Sequence, residues 1–238
     1  MNIALLGYGK MGQGIAAYAE TKGHTIVARI NSAHALSDQL QQALQADVWI
    51  EFSRPELAIQ HIEPAITHAK PIVVGTTGWY SHLQYVSERV NQTQATVFYA
   101  RNFSLGVHLF FKLNQKLAQL MQAHPEYAIQ IEEWHHLQKL DAPSGTALEL
   151  CEQTLKYNKR YIDWSLHADN SHTIPVKAIR QADITGTHQV MYQSAADRVE
   201  LRHHAFNRNG FIYGALCAAE FVLQHNGLLT MDDMWPDV

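Results

Sequence analysis

Apolar positions in the first hundred residues fall into two alternating rhythms. Short runs at Ile3 to Leu6, Thr25 to Ile30, Val48 to Phe52, Pro71 to Val74 and Thr96 to Tyr99 have the length and uniform hydrophobicity of strands buried on both faces. Between them lie segments of helical period: about Lys10 to Thr21, one opening at Pro55, and one around His82 to Val90. Strand and helix alternating in this way predict a parallel sheet with helices on both sides. After Gly106 the style changes. An amphipathic helix to His124 is followed by longer strand patterns at Tyr127 to Trp134, Pro175 to Arg180, His188 to Gln193 and Arg198 to His204, with one clear helix, Thr146 to Lys156, among them. This second half predicts an α+β unit on a mixed sheet. The Ala-rich apolar helix Gly210 to Gln224 is expected to return to the first unit. Hinges near Phe103-Ser104 and Asn207-Arg208 then give residues 1–104, with a return over 208–238, as one domain and residues 105–207 as the other.

Composition narrows the partners. With 238 residues, 47% of them hydrophobic, and a formal charge of -4, the chain can bury a sizeable core. It carries no basic run that would mark nucleic acid or an anionic membrane as a partner. Cys151 and Cys217 are too few and too distant for a disulfide framework or a metal knuckle, and read as small buried apolar residues in a reducing compartment. The N-terminus runs from Met1 straight into a glycine turn, without the basic leader and cleavage site of a secretory signal. No segment has the length to span a bilayer. A cytoplasmic protein is expected.

Gly7-Tyr8-Gly9-Lys10-Met11-Gly12 follows the first strand and opens the first helix, the context in which G-x-G-x-x-G binds a dinucleotide. Gly7 permits the tight turn, Gly9 lets backbone approach a pyrophosphate, and Gly12 allows close helix–strand contact. A bare glycine turn with no ligand is the blander alternative. Two further loops leave strands at the same carboxyl edge: Gly75-Thr76-Thr77-Gly78, and Ala100-Arg101-Asn102-Phe103-Ser104. Three loops converging there predict a cleft. Together these features make the first domain a Rossmann-type dinucleotide-binding unit, and the fold class α/β with a second α+β domain. After the second strand, where an acid usually holds the adenosine ribose, stands Asn31-Ser32. Asn31 accommodates a hydroxyl without repelling a 2′-phosphate, and Lys10 is placed to pair with one. NADPH or NADH, with dual use, is the expected cofactor.

The densest chemistry lies at Glu132-Glu133-Trp134-His135-His136-Leu137-Gln138-Lys139-Leu140-Asp141-Ala142-Pro143-Ser144-Gly145-Thr146-Ala147. His135 and Lys139, four apart, share a face in strand or helix, so their heads are expected to converge. Ser144, Gly145 and Thr146 open a helix whose unpaired N–H groups and dipole suit a carboxylate or phosphate.

In this order the glycine motif, Gly-Thr-Thr-Gly, Ala-Arg-Asn-Phe-Ser-x-Gly-Val and His-His-x-x-Lys-x-Asp-Ala-Pro-Ser-Gly-Thr-Ala resemble the 4-hydroxy-tetrahydrodipicolinate reductase family, long called dihydrodipicolinate reductases. Arg180 to His188 and Asn207-Arg208 also resemble family segments. The chain departs from that family at Asn31, where an acid is common, and in a shortened Gln/Ala-rich stretch from Ser32 to Gln45. The resemblance implies reduction of a small cyclic dicarboxylate in lysine and diaminopimelate biosynthesis by NADH or NADPH, and a homotetramer built on the second domain. It assigns acid/base work to His135, proton donation to Lys139, a substrate contact to His136 and the carboxylate site to Gly145-Thr146.

Other readings were weighed on the residues. Another Rossmann-type dehydrogenase, aspartate-like, leaves the His-His-x-x-Lys run unexplained; a non-catalytic dinucleotide sensor has no use for His135 and Lys139. Most of the fifteen histidines are surface or core residues. His203-His204 point to opposite faces of a strand and lack companion ligands, so no metal is expected. His188 reads equally well as structural or as support for the site, and Arg180 has no assigned role. Asp141, two before Pro143, reads as a turn residue, and Trp134 as packing. Glu133 is a candidate to orient His135, but strand neighbours diverge, so it is left unassigned.

Overall fold

The computed structural model describes residues 1–31, 35–168, 170–182 and 184–236; Ser32 and Asp183 therefore lie outside the described residues. In chain order the elements are β1 (Asn2–Leu6), α1 (Lys10–Thr21), β2 (Thr25–Ile30), α2 (Leu40–Ala43), β3 (Val48–Glu51), α3 (Pro55–Thr67), β4 (Ile72–Val74), α4 (Leu83–Thr93), β5 (Thr96–Tyr99), α5 (Leu105–Met121), β6 (Ala128–His135), α6 (Gly145–Tyr157), β7 (Asp163–Ser165), β8 (Thr173–Arg180), β9 (Gly186–Gln193), β10 (Arg198–Ala205), α7 (Asn209–Phe221), β11 (Gly227–Leu229) and α8 (Met231–Met234). The chain forms two compact units, Met1–Ser104 with Asn209–Val238, and Leu105–Arg208.

In the first unit six parallel strands run in the order β11-β5-β4-β3-β1-β2. The apolar strand runs are buried on both faces because each face has its own core. One, with Ile3, Leu5, Ile50 and Phe98, is closed by α1 and α7 through Ile15, Ala16, Ala215 and Leu216. The other, with Leu6, Trp49, Ile72 and Val97, is closed by α3 and α4 through Ile62, Ile66 and Val86. The chain visits β2 on one side of β1 and β3 on the other, so their loops part at the carboxyl edge, where open α/β sheets bind ligands. The short β11 and α8 add an edge strand and a terminal turn that the apolar pattern does not predict.

The second unit is a mixed sheet in the order β10-β9-β6-β8-β7. β6 pairs parallel with β8 and antiparallel with β9. Ile129, Ile131, Val176, Val190 and Tyr192 of the sheet pack on Phe110 of α5 and on Leu150 and Cys151 of α6. Strand alternation then carries Glu133 and His135 onto this same inner face, where the core gives way to polar groups. Cys151 is fully buried, but Cys217 is only half-buried, so the expectation of two core thiols holds for one. No helix among the described residues is long and apolar enough to cross a membrane.

Candidate active site

In the first unit the glycine turn is held by backbone on both sides. Gly7 has φ +99°, and a Cβ there would lie 2.1 Å from the Phe52 carbonyl oxygen; one on Gly12 would lie 2.1 Å from that of Gly7. A Cβ on Gly9 would meet nothing within 4 Å among the described residues. Gly9 caps α1 without a side-chain hydrogen bond, which leaves the helix start open to an anion. Beside it is a cleft of about 820 Å³ lined by Gly7, Tyr8, Gly9, Asn31, Ser53 and Arg54, among others.

The loops after β1, β2 and β3 line this cleft, whereas Gly75 to Gly78 and Ala100 to Ser104 do not. Phe52 joins these loops instead. Its ring fills the space a Cβ on Gly75 would need and sits 5.5 Å from the ring of Phe103. Phe103 and Ala100 are core residues, and the buried Thr76 hydroxyl accepts from Ser53 N at 2.8 Å. Thr77 is exposed. Arg101 lies over the Tyr80 ring and Asn102 Oδ1 accepts from Ser104 N. The helical Met11 is partly buried against the core.

Lys10 is exposed at the start of α1 and is not in the cleft wall; the cation sharing that wall with Asn31 is Arg54. Arg29 stands behind the glycine turn. Its Nε donates to the Tyr8 hydroxyl at 3.3 Å and its Nη2 to Glu20 at 3.1 Å. Beneath the cleft is a polar cluster that sequence reasoning missed. Glu51, fully buried at the end of β3, accepts from the Ser53 amide at 3.0 Å and from the Ser53 hydroxyl, with His61 Nδ1 at 3.4 Å. It ties the loop after β3 to α3.

In the second unit the signature run folds around Glu133. β6 ends at His135, and a turn closed by Lys139 N on the His136 carbonyl at 3.1 Å folds the lysine back. Strand or helix periodicity is thus not what brings Lys139 to the site. Lys139 Nζ donates to both carboxylate oxygens of Asp141 at 2.9 Å. Asp141 is therefore an ion partner, not simply a turn residue. Burial works against its charge, but the hydrogen bond and charge of Lys139, helped by Arg180, hold its carboxyl below the usual range.

Ser144 serves the fold. Its hydroxyl accepts from Ala147 N at 3.2 Å as the cap of α6 and contacts His188 Nε2 at 3.0 Å, while its amide donates to Glu133 at 3.0 Å. The surface of the helix start is left to Gly145, which is exposed with open space at its Cα, and to the half-buried Thr146. His136 is half-buried and its Nδ1 has no protein partner. In β10, His203 packs by Phe110 while His204 bonds Thr187 on the other side, diverging as expected.

Glu133 is fully buried and takes Arg180 Nη2 at 3.2 Å. Glu133, His135 and His188 offer ligand atoms within 4.8 Å of one another, and the same carboxylate accepts from the Ser144 amide. The divergence assumed for Glu133 and His135 is wrong: they stand two apart, and strand residues i and i+2 share a face.

Desolvation pushes the His135 pKa down to about 4, against the pull of Glu133, and His188 down to about 3, with the neighbouring His135 adding to the effect. An unfolded chain protonates both near 6.5. It therefore binds more protons than the folded protein between pH 6.5 and about 4, and stability falls as pH falls through that window. Thermal unfolding from pH 7 to 4 should show this loss, with a shallower slope in His188→Gln. Equal slopes would show that His188 does not carry it.

A glycine-turned parallel sheet, joined to a unit that sets neutral histidine and paired lysine beside an open helix start, defines a Rossmann-type dinucleotide-binding enzyme. The family model described as dihydrodipicolinate reductase, N-terminus, matches residues 1–103, and that of the C-terminus matches residues 106–235. The 4-hydroxy-tetrahydrodipicolinate reductase of Christiangramia forsetii is 43% identical over 241 residues, covering 100% of this chain and 99% of the relative. That of Staphylococcus carnosus is 34% identical over 247 residues, covering 98% and 99%. A dipicolinate-bound dihydrodipicolinate reductase from Paenisporosarcina sp. TG-14 shares the fold at a TM-score of 0.75 and 22% identity, with 98% of each chain covered. The chain belongs to the dihydrodipicolinate reductase family.

Proposed function

We infer that this chain is an NAD(P)H-dependent oxidoreductase that converts 4-hydroxy-tetrahydrodipicolinate to tetrahydrodipicolinate in lysine and diaminopimelate biosynthesis, the 4-hydroxyl leaving as water and the resulting conjugated ring taking up one hydride and one proton. The observation that carries the reading is the joint placement of His135, the Lys139–Asp141 pair and the open Gly145–Thr146 helix start around one buried carboxylate, in a chain of this family. The first unit binds the dinucleotide and the second the substrate.

Gly9 and the start of α1 fit a pyrophosphate, since among the described residues nothing lies within 4 Å of a Cβ built on Gly9; Gly7, Tyr8, Lys10, Met11, Gly12 and Asn31 complete that end. Gly75, Thr76, Thr77 and the segment Ala100-Arg101-Asn102-Phe103 serve the cofactor from the loops after β4 and β5, with Thr76 and Phe103 acting from the interior. When bound, the nicotinamide supplies hydride. The protein's part is orientation and charge. Gly145 and Thr146 hold one substrate carboxylate at the helix start, and His136 lies alongside. Lys139 exchanges the Asp141 carboxylate for the second, one carboxylate partner for another. The ammonium then neutralises negative charge developing on the ring and delivers the proton that quenches it. His135, neutral at pH 7, orients the substrate as a hydrogen-bonding group, while the proton itself comes from Lys139.

The enzyme acts in the cytoplasm as a homotetramer assembled through the second unit. The sheet face opposite α5 and α6, bearing Gln130, Glu132, Trp134 and Met191 around a recess of about 520 Å³, supports that assembly.

NADPH is used at least comparably to NADH. The neutral Asn31, with Arg54 in the same wall and Lys10 at the helix start, has nothing to repel a 2′-phosphate. Asn31→Glu should shift preference to NADH. Lys10→Ala should raise the KM for NADPH more than that for NADH, with the difference shrinking as salt rises. The test is kcat/KM for both cofactors, at two ionic strengths, with substrate generated in situ. Strong rejection of NADPH by the wild type would restrict the cofactor to NADH; no reduction with either cofactor would overturn the reading.

A further inference from the structure

Glu133 is the most heavily used buried group outside the residues already given roles. On β6 its Oε1 accepts from Arg180 Nη2 of β8 at 3.2 Å. Its Oε2 accepts from the Ser144 amide at 3.0 Å, and lies 3.6 Å from His135 Nδ1 and 3.8 Å from His188 Nε2. The last two are charge contacts, longer than hydrogen bonds. The side chain is wholly inaccessible.

Two neutral imidazoles flank this carboxylate, and each must place one N–H. His188 Nε2 faces Ser144 Oγ and Glu133, while its Nδ1 is buried with no partner. Protonation at Nε2 directs the N–H at acceptors and leaves only a lone pair unmatched; the other tautomer buries an unmatched N–H, the rarer and costlier arrangement. His135 Nδ1 is likewise buried without a hydrogen-bond partner, and the nearest charge is Glu133. The other groups facing this ring are Lys139 and Asp141 from the following turn, Arg180 from β8 and His188 from β9, at 5.0 Å between ring centroids. His203 of β10 stands opposite His188 in register. Among all of these, only Glu133 presents an acceptor to Nδ1.

We propose that Glu133 is a positioning residue that fixes His135 as the Nδ1–H tautomer and anchors the start of α6, so that Nε2 of His135 faces the substrate as an acceptor. One carboxylate thereby sets both the histidine and, through the Ser144 amide, the loop that opens the Gly145–Thr146 anion site. Arg180 holds that carboxylate in place through its 3.2 Å contact, which gives this residue a role as well. The mechanistic consequence rests on the reductase reading above; the tautomer does not.

Long-range ¹H–¹⁵N correlation spectra of histidine-labelled protein at pH 7, without ligands, test this directly. His135 and His188 signals are assigned by their loss in His135→Asn and His188→Gln. In the wild type His135 should be Nδ1–H and His188 Nε2–H; a wild-type His135 in the Nε2–H form overturns the proposal whatever the variants do. In Glu133→Gln, an amide cannot accept from both Arg180 and Ser144 N, and its NH₂ faces an N–H, so His135 should move towards Nε2–H. Retention of pure Nδ1–H in a folded variant also overturns the proposal. The same variant should lose about 10–100-fold in kcat/KM, the usual effect of removing a group that orients a functional histidine, with dinucleotide affinity unchanged. Unaltered kcat/KM alongside a changed tautomer would overturn the reductase role of His135 while leaving the positioning by Glu133 intact.

Discussion

Lys139→Ala is expected to lower kcat by about 10²–10⁴-fold, the range that a single general acid supplies, and to raise the KM for substrate as well. Both follow from one side chain having two tasks. Its ammonium is the cation closest to the open helix start in sequence, and it is held by two 2.9 Å hydrogen bonds to Asp141. Removing it takes away the proton and leaves Asp141 as an uncompensated carboxylate where a dicarboxylate must bind. Lys139→Ala/Asp141→Asn should therefore recover part of the KM but none of the kcat. The fold should survive, because the pair is partly exposed and such pairs contribute about 0–1 kcal/mol. Steady-state kinetics, with thermal unfolding and dinucleotide titration as controls, decide the matter. Near-native turnover in the single variant would remove Lys139 from the chemistry; lost dinucleotide affinity would mean that the turn supports the fold at large.

What could be read from the sequence was governed by range. α1 was legible residue for residue because a period-3.6 stripe runs from a glycine turn to the Gly23 break. β2 and β5 were equally plain as apolar runs between polar turns. The three-residue β7, Asp-Trp-Ser, and β11, Gly-Leu-Leu, lack the apolar run that marks the equally short β4. The site divides in the same way. His135, Lys139, Gly145 and Thr146 belong to one local run, but their convergence depends on a turn after His136 that no periodic argument supplies. The Glu51–Ser53–His61 cluster was invisible because a carboxylate ending an apolar strand gives no sign of a histidine ten residues on. Arg180 and His188 reach Glu133 only through the β8–β6–β9 pairing, a non-local fact. The pairing of Glu133 with His135 is legible in the sequence once alternate residues of β6 are taken to share a face.

Gly7→Ala should be strongly damaging to the first unit. Its φ of +99° lies where a side chain is strained, and the new Cβ would stand 2.1 Å from the Phe52 oxygen, 2.4 Å from its carbonyl carbon and 2.7 Å from Ser53 N. All three are backbone atoms, and neither side can yield cheaply. Gly7 N is bonded to the Ile30 carbonyl at 3.0 Å and Phe52 N to the Leu6 carbonyl at 2.8 Å, so moving one strand end away from the other opens the sheet between β1 and β3. Left-handed strain together with a backbone clash should cost about 3–5 kcal/mol, or on the order of 10 °C in Tm for a chain of this size. Gly9→Ala separates folding from binding. With nothing among the described residues within 4 Å of the added methyl, it should shift Tm by no more than about 2 °C, within the roughly ±0.5 kcal/mol of an innocuous surface change. The same methyl stands where backbone must approach a pyrophosphate, so the Kd for dinucleotide should rise clearly. Thermal melts and dinucleotide titrations of the two variants side by side make the test. A Gly7→Ala protein that melts with the wild type would refute the packing argument, and a Gly9→Ala protein that binds dinucleotide normally would move the pyrophosphate away from this turn.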